Sequence, residues 1–215
     1  MAGFKAHGVG ASAAGALATY AAAHQGAVSP VLLPGVLLAT VIGGFLPDVD
    51  SDTGKPVRIL FSVLAVAGAS AALLTTPDLR ETAPIAGAWW LGIAIVIRYV
   101  ACELFKHATV HRGAFHSLPA TAIAGVATFL LFNYAGATLA AGIAFGGAVA
   151  LGYLAHLVLD EFWSLVDLSG GTVRPKKSLG SACKLRGSNL WTTCILYATL
   201  LALAGQTWLV IEKGG

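Results

Sequence analysis

The chain has 215 residues, of which 57% are hydrophobic and only 11% charged. A soluble domain carries about a quarter charged residues, so this chain cannot cover its surface with polar groups, and lipid must solvate most of it. The formal net charge is only +3, and no long basic run with interleaved aromatics occurs, which argues against nucleic acid as a partner.

Apolar stretches fall at about 8–23, 31–46, 57–75, 84–105, 118–136, 139–159 and 191–211. A spanning helix needs about 20 residues, within a range of roughly 17–25. The last five stretches meet that length, the second is short, and the first is built from Ala and Gly rather than Leu and Ile. The pattern predicts an all-α, polytopic membrane bundle of about seven transmembrane helices, forming one integral membrane domain over residues 1–215.

Lys5, the following apolar stretch and AAAHQG imitate the layout of a signal peptide, but the Ala/Gly core is too weakly apolar, and the segment reads as a first span. His7 heads it, and His24 at its far end reads as an interfacial residue. Gly8, Ser12 and Ala16 recur every four residues, as do Gly142 and Gly146 in the sixth span, spacings that suit close helix contact in lipid.

The second span ends in PDVDSD, residues 47–52. On a regular helix, neighbours two apart point in nearly opposite directions, but in a turn Asp48 and Asp50 can face one cation or bridge two. Asp52 adds a third candidate, and Gly54 and Pro56 fit a tight turn before the third span. The plainer reading is a hydrated loop of acids.

Arg98 lies well inside an apolar segment, away from its ends. Glu103 is on the wrong helical face to pair with it, so its partner must come from another helix. Glu103, His107 and His111 share a helical stripe, which would let the first two orient the third. In HRGAFHS, residues 111–117, Gly113 allows a bend that brings His111 and His116 together. Ser117 suits the cap of the fifth span with Pro119 in its first turn, and the planar fork of Arg112 suits phosphate or carboxylate oxygens.

The sixth span closes on GYLAHLVLDEF, in which His156 and Asp160 are four apart and share one helical face. Such a pair offers two ligands to one metal, or else a simple His–Asp hydrogen bond. A basic loop over 161–190 follows, including RPKKSLGSACKLR at 174–186. It could hold anionic headgroups at about 1 kcal/mol per basic residue, or serve only as an orientation signal.

With seven spans and a cytoplasmic N-terminus, the inside segments carry Lys5, Lys55, Arg58, Lys106, Arg112, Arg174, Lys176, Lys177, Lys184 and Arg186, while the outside carries Arg80 and Lys213. That bias matches the positive-inside rule. Cys102, Cys183 and Cys194 form no C-x-x-C pair, and an odd, unpaired count suits a reducing cytoplasmic side.

This topology gathers His7, Asp48, Asp50, His111, His116, His156 and Asp160 at one membrane face. Ionisable groups at a membrane boundary are costly unless paired, hydrated or metal-bound. Imidazole with carboxylate suits Zn²⁺, Mn²⁺ or Fe²⁺ better than Ca²⁺ or Mg²⁺. The set exceeds the four ligands of a tetrahedral zinc, so one or two ions are expected.

The ordered motifs are an N-terminal histidine ahead of a small-residue helix, L-P-D-x-D, H-R-G-x-x-H-S and G-Y-L-x-H-x-x-x-D. Together, over roughly residues 5–165, they resemble the membrane-bound metal-dependent hydrolases, the YdjM-like relatives of a LexA-regulated inner-membrane hydrolase. The chain departs from that pattern at Ser51–Asp52, where a histidine commonly follows the second aspartate, and at Phe115, where threonine is common. The resemblance implies a multi-pass protein of the bacterial inner membrane with a zinc-type hydrolytic site at those seven residues.

The resulting expectation is a hydrolase in which metal-activated water attacks a lipid or lipid-linked phosphoester. Asp160 or Asp48 would accept the proton, and Arg112 would steady negative charge on the substrate. The competing readings are a transporter or channel with an ion site, and a scaffold whose metal only staples helix ends. The sequence names no protein partner.

Overall fold

The computed structural model describes residues 3–50, 55–80, 82–108, 114–165, 180 and 183–214. Its helices are α1 (Phe4–His24), α2 (Leu33–Gly43), α3 (Lys55–Thr75), α4 (Ala83–Ile95), α5 (Cys102–Ala108), α6 (Leu118–Tyr134), α7 (Leu139–Leu165) and α8 (Leu190–Gly214). A π-helical stretch, Val96–Ala101, joins α4 to α5, and short 3₁₀ turns stand at Pro30–Leu32, Pro47–Asp50 and Pro77–Arg80. Each of the seven apolar stretches coincides with a helix, the fourth being α4, the π stretch and α5 end to end. The fold is a helical membrane bundle.

Among the described residues, Ala83–Lys106, Leu139–Ser164 and Leu190–Glu212 are long and apolar enough to cross a membrane, by length and composition. Pro30–Gly43, Val57–Ser70 and Leu118–Tyr134 are apolar but shorter. For α6 the limits are local. Ser117 caps its start with proline in the first turn, and Gly136 ends it at φ 84°. There Gly136 N donates to Asn133 O and Ala137 N to Phe132 O, a Schellman closure that needs left-handed backbone.

The chain divides into two compact units, Met1–Pro47 with Arg112–Gly215, and Asp48–His111. In the first, α7 is central, packing on α1, α2 and α6, while α8 packs on α6. The α2–α7 contact is backbone to backbone: a Cβ on Gly152 would collide with the Thr40 carbonyl, and one on Gly43 with the Val149 carbonyl. Gly142 and Gly146 meet α6 as their spacing predicts, with a Cβ on Gly146 falling 2.7 Å from the Gly125 carbonyl oxygen. On α1 the stripe differs from expectation. The buried face is His7, Ala11, Gly15 and Ala22, whereas Ser12 and Ala16 are exposed. The imidazole must enter the interior, and that requirement sets the rotation of the helix one residue away from the Gly8–Ser12–Ala16 row.

The far end of this unit, opposite His7, is apolar. Ala22, Val28, Val36, Ala141, Phe145 and Ala148 form a buried cluster, and Phe132 stacks on Phe145 at 4.1 Å between ring centroids.

In the second unit α3 packs against α4 and the π stretch. Trp90 Nε1 donates to Ser70 Oγ at 3.1 Å, and Phe61 meets Phe105 at 5.4 Å between centroids. Arg98 finds the interhelical partner expected of it, its Nε donating to Ser62 Oγ of α3 at 2.8 Å. Glu103 pairs instead with Lys106 one turn along α5, at 3.0 Å.

Candidate metal centre

Four buried polar side chains of the first unit converge at one end of the bundle. His7 comes from the first turn of α1, His116 from the residue before the Ser117 cap of α6, and His156 and Asp160 from successive turns of α7. None is more than 1% exposed. The Asp160 carboxylate is the hub: Oδ1 is 3.3 Å from His7 Nε2, and Oδ2 is 3.7 Å from His116 Nε2 and 3.9 Å from His156 Nε2.

The rings are arranged around that carboxylate. His7 and His156 stack in parallel, 3.7 Å between centroids and 8° between planes, so both Nε2 atoms face Asp160. His116 stands edge-on to His156 at 5.6 Å and 70°. His156 Nδ1 lies 2.7 Å from the Gly44 carbonyl oxygen at the end of α2. A carbonyl only accepts, so Nδ1 carries the hydrogen and the Nε2 lone pair is left for a ligand.

The segment bearing His116 is fixed on several sides. Ser117 Oγ donates to Ala114 O at 2.6 Å and accepts from Ala120 N at 3.3 Å. Leu118 N donates to Lys184 O at 2.9 Å, tying the chain before α8 to this end of the bundle. The Tyr153 hydroxyl, one turn before His156, donates to the Phe115 carbonyl. Phe4 stacks on Phe45 at 4.6 Å, joining the start of α1 to the chain leaving α2.

Whether this set suits a cation can be tested on its distances. Tetrahedral zinc with bonds of about 2.0–2.1 Å places adjacent ligand atoms about 3.4 Å apart. The 3.3–3.9 Å separations fall close to that value. Ligand atoms of His7, His156 and Asp160 all lie within 4.8 Å of one another. Among the described residues, neither ring nitrogen of His7 has a hydrogen-bond partner, although each is a strong donor or acceptor removed from water. The donor set fits a divalent cation such as zinc.

The family model described as YdjM inner membrane protein matches residues 1–211. The chain belongs to the YdjM family. It is therefore a membrane protein, in agreement with the three long apolar helices among its described residues. No curated protein and no solved structure matches it.

Of the residues expected to bind metal in this YdjM family member, His7, His116, His156 and Asp160 meet within the first unit. Asp48 and Asp50 lie in the 3₁₀ turn Pro47–Asp50, which opens the second unit. Asp48 is four residues beyond Gly44, whose carbonyl already holds His156. His111, Arg112 and Asp52 lie outside the described residues, as do 166–179 and 181–182 of the basic loop. Gly44 and Tyr153 were not singled out from the sequence. The Gly43–Gly44 pair ahead of the aspartate motif, and the tyrosine inside G-Y-L-x-H, were the available signals.

Proposed function

We propose that this chain is a membrane-embedded metal-dependent hydrolase acting on a phosphoester or lipid-linked substrate. One or two divalent ions, zinc first with manganese or iron as alternatives, are held by His7, His116, His156 and Asp160, with Asp48, Asp50 and His111 as further candidate ligands from the sequence motifs. The observation that carries this reading is the Asp160 carboxylate, fully buried, with three imidazole Nε2 atoms 3.3–3.9 Å from its oxygens.

Such a cation supplies activation of water at neutral pH and polarisation of an ester or phosphoryl oxygen. The side chains do the rest. His156 is oriented through Gly44, and His116 through Ser117 and Tyr153. Asp160 or Asp48 would accept the proton that water releases, and the Arg112 guanidinium would steady negative charge on substrate oxygens.

The substrate class follows from depth. Asp160 is five residues from the end of α7, about 8 Å along the helix, a depth that would suit a substrate carried at headgroup level. A multi-pass arrangement with the N-terminus and the site on the cytoplasmic side is supported by Lys5 at the start of α1 and by Lys184 and Arg186 near the α6 cap.

The test is elemental analysis of purified wild type, His156→Ala and Asp48→Ala, with a screen of phosphoester and lipid-linked substrates. Stoichiometric metal and hydrolysis in the wild type, both lost in the variants, support the proposal. Metal retained in both variants overturns it. Solute flux without ester cleavage in proteoliposomes would transfer the site to the transport reading.

A further inference from the structure

The second unit carries a pair of arginines that the proposed hydrolytic chemistry does not use. Arg98, in the π stretch, donates through Nε to Ser62 Oγ at 2.8 Å, and Ser62 Oγ donates in turn to the Arg58 carbonyl at 2.8 Å. A guanidinium has five N–H donors, and among the described residues the Nη groups of Arg98 have no partner beyond the face of Tyr99, 5.1 Å from Cζ. Arg58 stands one turn before Ser62 on α3, so its side chain shares the face that Arg98 reaches. Among the described residues no carboxylate pairs with either arginine. Glu103 is held by Lys106 at 3.0 Å, and Asp78 lies beyond the opposite end of α3.

Two cations without a described counter-charge on an otherwise apolar helix pair are unfavourable unless an anion accompanies them. The surrounding surface identifies its source. Ile59, Val63, Val96 and Val100 flank the arginines and are all more than half exposed, as expected of side chains that face lipid. Ser62 is seven residues from the start of α3, about 10 Å along the helix. Arginine stems bury their methylenes and lift the charge toward the interface, so the guanidinium groups can meet a headgroup phosphate.

We propose that Arg58 and Arg98, spaced by Ser62, form a binding site for the phosphate of an anionic phospholipid on the lipid-facing side of α3 and the π stretch. Arg98 offers a planar fork to two phosphate oxygens, and Arg58 supplies the second charge. That excess positive charge selects phosphatidylglycerol over a zwitterionic lipid.

The test is native mass spectrometry of the full-length protein titrated with phosphatidylglycerol against phosphatidylcholine. Phosphatidylglycerol affinity should fall about fivefold in Arg58→Gln and roughly thirtyfold in Arg58→Gln/Arg98→Gln, at one increment per basic residue. Phosphatidylcholine binding should change little. Arg58 is exposed on the first turn of α3, so Arg58→Gln remains informative if the double variant fails to fold. Undiminished selectivity in Arg58→Gln overturns the proposal. So does displacement of the lipid by millimolar inorganic phosphate, which would make this a site for a soluble anion.

Discussion

The two ends of the first unit use the same helices for opposite purposes. At one end, α1, α2 and α7 close around Ala22, Val28, Val36, Phe145 and Ala148, and both α1 and α6 finish in Schellman closures on Gly26 and Gly136. At the other, the same α1 and α7 enclose His7, His156 and Asp160, equally buried and wholly polar. In lipid, apolar packing gives no hydrophobic advantage over contact with acyl chains, so close fit and polar contacts hold the helices. One end relies on fit alone. The other keeps ionisable groups out of water, which is favourable only when they are mutually satisfied or bind a ligand.

That contrast can be broken from either side. His156→Ala should produce the largest effect, loss of bound metal measured by elemental analysis, with membrane insertion unchanged. Phe145→Ala should do the reverse. In a water-soluble core such a truncation costs roughly 3–5 kcal/mol, and here it should cost less, since a separated helix keeps its phenyl ring in lipid. Thermal unfolding in detergent should fall while metal content stays intact. Gly152→Ala tests the seam between the ends: its methyl group meets the Thr40 carbonyl, and overpacking of this kind costs roughly 1–3 kcal/mol. Because Gly44 directly follows α2, this substitution should lower both unfolding temperature and metal affinity. The smallest change is Tyr153→Phe, which removes one hydroxyl donor to Phe115 and about 1 kcal/mol. Loosened metal binding with little change in unfolding temperature would show that the hydroxyl serves His116 in particular.

The apolar stretches and the His156–Asp160 pair were legible in the sequence because each rests on a local rule, whereas His7 and His116 joined them only through the count of spans. Hydrophobic length marks helices, and the four-residue step from His156 to Asp160 puts both on one face of α7. Rotation about the helix axis was not legible on α1, because an Ala/Gly segment offers nearly equivalent faces and the choice was made by where His7 had to point. The π stretch at Val96–Ala101 left no signal, since one widened turn hardly alters the apolar pattern. Glu103 pairs with Lys106 on the same surface, while the expected stripe to His111 lies outside the described residues. The role of Gly44 was hidden for a different reason: its contribution is a carbonyl, which every residue possesses.

That last feature has an evolutionary reach. An imidazole steered by a neighbouring aspartate can be retuned by exchanging the aspartate. His156 leans on the peptide oxygen of Gly44, which no codon change deletes. Its alignment is inherited from where α2 stops, so lengthening or shortening that helix by one residue would disturb the centre more than most side-chain replacements nearby.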